Sequence, residues 1–334
     1  MLIKAGGNVR HAHGEVGVIG FERRAGWNTD SWQTAGLAAL DADVKLRLTR
    51  AVYRGVKISQ ARVTATLKDK VLTANFDDMQ LYEGRGRGVI RFDATAVPSI
   101  SAAVTTDGVA MGPLLKDSAG MSWLAGTGRV TLTVDGQGPS QQAMMESLTG
   151  KADVIFNNGS IVGWNLAQII RGLKQGQLSG FERTATAKTD FSELAATWTI
   201  AGGVAENQDL RMTSPLLRVT GAGRVGLGAR DIDYQLRPKF VTSLDGQGGA
   251  HGLTGLEVPL KVRGPWEGVE VAPDVGGILK DPDKTIGALK EFGKQFKGKK
   301  PDEIVDQVLG DNPQAAKKAK DLLGKFLKPK TASE

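Results

Sequence analysis

A two-residue alternation of apolar and polar side chains, repeated in segment after segment, limits this chain to a sheet built of many half-buried strands. Leu194, Ala196, Trp198 and Ile200 share one parity, and Glu193, Thr197 and Thr199 share the other. After a Gly202-Gly203 turn, Leu210 with Met212 and Leu217 with Val219 keep the rule, as do Ile232, Tyr234 and Leu236 against Asp231, Asp233, Gln235 and Arg237. Leu256, Val258, Leu260 and Val262 alternate with Glu257, Lys261 and Arg263. Such a period puts one oily and one wet face on each strand. Pro259 inside the last of these runs predicts an edge position, where a missing N–H does no harm.

The earlier chain repeats the device. Val44, Leu46 and Leu48 mark a strand, and Val56 and Ile58 continue it. Val63, Ala65 and Leu67 are joined through Lys68-Asp69-Lys70 to Leu72, Ala74 and Phe76. Asp77-Asp78 then reads as a turn rather than an acid–base pair. The stretch Leu81-Tyr82-Glu83-Gly84-Arg85-Gly86-Arg87-Gly88 leads into Val89, Ile90 and Phe92, not into a helix. Its glycines therefore predict a bend or bulge and not a phosphate loop. Val109 to Leu115 reads as a short apolar turn, and Gly126 opens a strand with Val130, Leu132 and Val134 inward.

An internal echo runs through these strands. Gly126-Thr-Gly128-Arg129-Val130-Thr-Leu132 matches Gly221-Ala-Gly223-Arg224-Val225-Gly-Leu227, with a looser copy at Gly86-Arg87-Gly88-Val89-Ile90. Asp78-Met79-Gln80-Leu81 and Asp209-Leu210-Arg211-Met212 precede two of the copies. Repeated strand–turn–strand units imply a sheet added to strand by strand rather than a closed globule.

Two helices interrupt it as plugs or lids. Ser140 caps one through Leu148, ended by Gly150. Asn165 caps another, with Leu166, Ile169, Ile170 and Leu173 on one face and Gly176 as its end. Beyond Trp266 the pattern turns helical: Pro265, Pro273 and Pro282 punctuate it, and Ile286, Leu289 and Phe296 share a face. A last helix from Asn312-Pro313 sets Leu322, Leu323, Phe326 and Leu327 against Lys317, Lys318, Lys320 and Lys325. A basic amphipathic tail fits a membrane surface and equally a solvated helix docked on the body. The divisions expected are a poorly patterned segment 1–36, a β-groove domain 37–276 and a basic helical tail 277–334.

Composition narrows the chemistry. Of 334 residues, three are His and none is Cys, so disulfides and thiolate chemistry are excluded. His11 and His13 form a pair with no third ligand at metal spacing, and read as a solvated loop. His251 sits in a Gly-rich loop and carries no further signal. No nucleophile elbow, zinc-protease helix or Walker loop is present, so neither catalysis nor a cofactor is expected. The net charge of +7 gathers at the C-terminus, where residues 280–334 hold 13 Lys against 9 acidic side chains. A nucleic-acid binder would interleave Arg and aromatics on one face, and this chain does not. No apolar run reaches the roughly 18 residues of a membrane span, and the first twenty residues carry no signal-peptide core.

Four segments together resemble the C-terminal region of the AsmA family. They are Gly26-Trp27 through Leu37-Ala-Ala-Leu40-Asp-Ala-Asp43; Leu81-Tyr82-Glu83-Gly84 with Gly88; Gly159-Ser-Ile161-Val-Gly163-Trp-Asn165-Leu166-Ala; and Thr189-Asp190-Phe191-Ser192-Glu193-Leu194 onward. The last continues through Ser214-Pro215-Leu216-Leu217-Arg218-Val219-Thr220-Gly221, Asp231-Ile-Asp233-Tyr234, Leu236-Arg237-Pro238, Val258-Pro259 and Gly264-Pro265-Trp266. The resemblance implies a bacterial envelope protein on the periplasmic side of the inner membrane. It also implies a part in outer-membrane biogenesis and a curved sheet like that of bridge-like lipid-transfer proteins. It supplies no catalytic residues. The sequence departs from the family in lacking the inner-membrane anchor and long upstream region of such proteins, so it is expected to be either a fragment or a truncated reading frame.

The expected fold is mainly β: an elongated, curved, mostly antiparallel sheet forming a groove or half-barrel, with two short helices and a C-terminal helical tail. The expected role is non-enzymatic, binding or conducting phospholipid between inner and outer membranes. A tail of ~16 methylenes costs about 13 kcal/mol to expose to water, at about 0.8 per methylene, and a continuous apolar groove removes that cost along its path. The groove candidates are Val44, Leu46, Leu48, Val63, Leu67, Leu72, Phe76, Val130, Leu132, Leu194, Trp198, Ile200, Leu217, Val219, Val258 and Leu260. Each alone reads as core; their succession makes a groove. Lys317, Lys318, Lys320 and Phe326 are the membrane-surface candidates. The rival expectation is an assembly or scaffold factor whose partners are outer-membrane proteins rather than lipid. No nucleic acid or metal is expected.

Overall fold

A computed structural model of the chain describes residues 11–16, 26–39, 41–53, 55–174, 181–241 and 257–274. Within them the chain forms one open sheet of 14 strands. The strands are β1 (His11–Val16), β2 (Ala42–Leu48), β5 (Gln60–Lys68), β6 (Val71–Leu81), β7 (Gly84–Asp93), β8 (Ser99–Ala110) and β9 (Leu124–Gln137). They continue as β10 (Thr149–Val162), β11 (Lys188–Ala201), β12 (Val204–Thr213), β13 (Leu217–Gly226), β14 (Asp231–Phe240), β15 (Leu260–Pro265) and β16 (Glu270–Pro273). β2 pairs with β5, from β5 onward every neighbour is next in sequence, all of these pairings are antiparallel, and only β1 pairs in parallel, with β2. A separate hairpin, β3 (Ala51–Tyr53) and β4 (Val56–Ile58), leaves the sheet between β2 and β5. The expected curved, mainly antiparallel, unclosed sheet is what forms.

The hairpins rest on turn chemistry that suits twisted strands. Asp69-Lys70, Tyr82-Glu83 and Gly202-Gly203 each place two consecutive residues at positive φ, as two-residue turns matched to right-handed strand twist require. Bulges recur on alternate strands. Pairing shifts between Phe76 and Met79 on β6, Thr106 and Val109 on β8, Asn157 and Ser160 on β10, and Asn207 and Leu210 on β12. Each bulge raises local twist, so together they crease the sheet. Asp77-Asp78 therefore lie in a bulge inside β6 and not in a turn, and Arg62 on β5 meets the Asp78 carboxylate at 3.0 Å. Asp209 fills the β12 bulge in the same way.

Three helices pack on this frame. Among them α1 (Met111–Ala119) occupies what read as a turn; Gly120 ends it at φ 76°, with Met121 N–H reaching back to the Leu115 carbonyl. α2 (Gln141–Glu146) is capped by Ser140, whose Oγ accepts from Ala143 N–H, but stops at Ser147, so Leu148 lies outside the helix. Gly150 belongs to β10. α3 (Leu166–Lys174) starts at Asn165, whose Oδ1 accepts from Gln168 N–H at 3.0 Å. Leu166, Ile169 and Ile170 on α3 are buried in the main core.

Other expectations need correction. His11 and His13 lie in strand β1, not in a loop, because pairing with β2 is a long-range bond that local patterning does not reveal. Val56 and Ile58 belong to the β3–β4 hairpin. Pro259 precedes β15, which is flanked on both sides, so no edge follows from it. The sheet also continues past Trp266 into β16. The expected tail helices and the His251 loop lie outside the described residues.

Candidate functional site

Register converts the separate alternations into one face. Val44, Ala65, Ala74, Ile90, Ala102, Val134, Gly150, Ile200, Ala205, Val225, Ile232 and Gly264 are successive cross-strand partners from β2 to β15. Every member is apolar or glycine. One residue along, on the opposite face, Lys45, Thr64, Asn75, Val89, Ala103, Thr133, Lys151, Thr199, Glu206, Arg224, Asp233 and Arg263 are partners in the same way. Antiparallel partners share a face, so an unbroken oily row runs beside a predominantly polar one across twelve strands.

The candidates sort onto this inner face. Val44, Leu46, Leu67, Leu72, Phe76, Val130, Leu132, Leu194 and Trp198 are half-buried, while Leu48, Val63, Ile200, Leu217, Val219, Val258 and Leu260 are buried. All but Val258 lie in strands, and Val258 sits just before β15. The half-buried members cluster on β2 to β11, and four of the seven buried ones, Leu217, Val219, Val258 and Leu260, lie on β13 or on and just before β15. Apart from Val97 at 59%, no large hydrophobic among the described residues is exposed. A flat apolar face would expose many, so the walls of this one shield each other. Lys317, Lys318, Lys320 and Phe326 lie outside the described residues.

Curvature comes from glycine as well as from bulges. Gly88 stands opposite Phe76, Gly128 opposite Phe156, Gly159 opposite Phe191 and Gly223 opposite Tyr234. Three of these rings take the space a side chain would fill: a β-carbon on Gly128 would approach the Phe156 ring to 2.9 Å, one on Gly159 the Phe191 ring to 2.3 Å and one on Gly223 the Tyr234 ring to 2.7 Å, whereas Gly88 is held by the Ala103 and Val104 backbone. The sequence echo is therefore a packing device, a glycine laid under a neighbour's large side chain. Twist then carries the sheet round. Six steps of about 20–25° separate β9 from β15, and the end of β15 meets the start of β9. Trp123 Nε1 donates to the Trp266 carbonyl at 3.1 Å, and the Arg230 guanidinium lies 5.4 Å from the Trp27 ring and 5.2 Å from the Trp266 ring.

Among the described residues Thr106 and Asn207 are buried polar groups on the oily face, and the sequence reading missed Asn207. Asn207, 1% exposed, accepts a hydrogen bond from the Tyr234 hydroxyl and donates to the Thr197 carbonyl at 2.8 Å. Burial, with the Asp209 charge adding to it, pushes the Tyr234 phenol well above its ordinary value. Asp209 accepts from Thr197 Oγ1 at 2.7 Å and Thr197 N–H at 2.8 Å, which holds its carboxyl below the usual range. The signal was an Asn on the inward parity between Ala205 and the bulge.

Among the described residues no group of three or more His, Asp or Glu could hold an ion, and no helix is long and apolar enough to cross a membrane. One cleft of about 370 Å³ is lined by Arg47, Leu48, Thr49, Gln60, Ala61, Arg62, Asp78 and Gln80.

Comparison with known proteins gives one family. The model of the AsmA family matches residues 22–210. Protein AsmA of Escherichia coli (strain K12) is 24% identical over 283 residues, covering 82% of this chain and 45% of that protein, so the chain spans less than half of its relative. No solved structure matches.

Proposed function

The chain belongs to the AsmA family, and we propose that it is a non-enzymatic envelope protein of outer-membrane biogenesis that holds the acyl chains of phospholipid against its inner face. The observation that carries this reading is the oily row from Val44 to Gly264, unbroken across the strands and backed by a predominantly polar one. A surface of that kind matches a ligand that is apolar, long and uniform, and offers little to a polar substrate. The half-buried residues of β2 to β11 give it a place, since burying a tail there recovers about 25 cal/mol per Å² of apolar surface. The basic segment 277–334 is proposed to rest on anionic lipid headgroups, on the periplasmic side of the inner membrane.

The test is lipid content. The protein, purified in mild detergent and analysed by native mass spectrometry, is expected to carry co-purified phospholipid. Leu67→Asp and Val130→Asp, on half-buried inner positions, are expected to lose it, while Thr64→Asp on the outer face keeps it. Lipid-free native protein, with crosslinks to outer-membrane proteins instead, would favour the scaffold role.

A further inference from the structure

The inner face is on balance more open before β11 than after it. On β2 to β9, Val44, Leu67, Leu72, Val104 and Leu132 are half-buried, with Leu48, Val63 and Val134 buried among them; beyond β11, Met212, Leu217, Val219, Ile232 and Leu260 are buried, with Val225 and Leu236 half-buried. At the boundary the rings of Trp198 on β11 and Tyr234 on β14 come within 5.9 Å of each other. Three strand spacings separate those strands, about 14 Å on a flat sheet, so the sheet has curled enough to bring two side chains of the same face together. Tyr234 reaches the wall by lying over Gly221 and Gly223, where a β-carbon would meet its ring at 2.9 and 2.7 Å. Its hydroxyl then meets Asn207, which is tied to the Thr197 carbonyl at 2.8 Å.

We propose that the trough is blind: acyl chains lie along β2 to β11 and stop at the wall of Trp198, Tyr234 and Asn207. This rests on the lipid reading above. A methylene chain has neither donor nor acceptor, so pushing past the wall would strand the Asn207 amide and the tyrosine hydroxyl without partners in an apolar site, which is costly. The stretch in front of the wall crosses eight strands, seven spacings or about 34 Å, close to the roughly 30 Å of a bilayer's hydrocarbon core. Beyond the wall the larger inner side chains Met212, Leu217, Val219, Ile232 and Leu260 are packed core and serve as the end-stop.

Photolabelling tests the boundary. The whole chain is mixed with vesicles of phosphatidylglycerol and phosphatidylethanolamine, a trace of the latter carrying a diazirine in its palmitoyl chain. The mixture is irradiated, and adducts are mapped by peptide mass spectrometry. Adducts are expected on peptides holding Leu67, Leu72 and Leu132, and to be lost on those holding Val219 and Leu236. Trp198→Ala is expected to move labelling onto β12 to β14, and Trp198→Phe to leave the boundary in place. Equal labelling of both halves of the native protein overturns the blind end and leaves the lipid reading standing; no labelling anywhere overturns the lipid reading itself. A folded Trp198→Ala protein with an unmoved boundary overturns the role of the wall. Should that variant fail to fold, the map of the native protein decides alone.

Discussion

Gly223 on β13 stands directly opposite Tyr234 on β14, and a β-carbon on the glycine would lie 2.5 Å from the Asp233 carbonyl oxygen and 2.7 Å from the tyrosine ring. The ring thus has its place only because its partner has no side chain. Gly223→Ala is expected to destabilise the protein by about 1–3 kcal/mol, the usual cost of overpacking, since the closest atoms are backbone and cannot swing away. Gly36→Ala, which would meet nothing within 4 Å, is expected to be neutral. Urea unfolding followed by circular dichroism compares the two.

A second expectation concerns the β3–β4 hairpin. Tyr82 binds it to α1: the hydroxyl donates to Asp117 at 2.8 Å and accepts from Lys57 N–H, and Lys57 Nζ meets the same carboxylate at 2.8 Å. Burial leads in raising the phenol to about 12 from 10.0, and Asp117 is held below its ordinary 3.8 by hydrogen bonds from Lys57 and Tyr82 that outweigh its desolvation. The signs are opposite. The tyrosine contribution is whole below pH 10 and is lost as pH rises through about 12, because the unfolded chain ionises first. The aspartate contribution is whole above pH 3.8 and is lost as pH falls through its depressed folded value. Tyr82→Phe is expected to flatten the alkaline fall and to remove the late-titrating tyrosinate from the ultraviolet difference spectrum.

Much of this was legible in the sequence, and the misses have physical causes. The inner face followed from parity alone, because a strand cannot rotate its side chains out of a two-residue period. What parity cannot supply is register, and it is register that joins Val44 to Gly264 in one row. Strand β1 escaped because His11-Ala-His-Gly-Glu-Val16 has no oily alternation, and its pairing with β2 is a long-range bond. Helix α1 escaped because Gly112-Pro113 reads as a breaker, although proline in a first helical turn loses no bond. Asp77-Asp78 and Asp209 suit a turn and a bulge equally, since both need a residue that bonds its own neighbourhood. Asn207 escaped because parity searches for apolar residues, and its bonds to Tyr234 and the Thr197 carbonyl come only with register.

The Arg230 contacts predict how the curled sheet is held. Its guanidinium lies against both Trp27 and Trp266 and also donates to Glu267 and to the Ala119 carbonyl. The two ring contacts join residues far apart in the chain, so their loss acts on the closed shape rather than on one strand. Arg230→Ala is expected to cost about 1–2 kcal/mol, from two cation–π contacts of about 0.5–1 each. Arg230→Lys keeps the charge but not the planar fork and should recover only part of it. Protection of the Trp123 indole N–H, which donates to Trp266, is expected to fall in hydrogen exchange by NMR for Arg230→Ala.

The basic tail gives the last expectation. Thirteen Lys in residues 280–334 exceed the nine acidic residues there, and Lys317, Lys318 and Lys320 sit opposite a run of Leu and Phe at helical spacing. Near an anionic surface each lysine is worth about 1 kcal/mol. Reversing all three to Glu replaces attraction by repulsion, so binding to phosphatidylglycerol vesicles in a flotation assay should drop by orders of magnitude at low salt. Phe326→Ser removes the apolar side of the same segment and should weaken binding with little change in its salt dependence. If the lysines instead face the protein body, the triple variant loses thermal stability while vesicle binding is unmoved, and the two readings of this segment separate in one comparison.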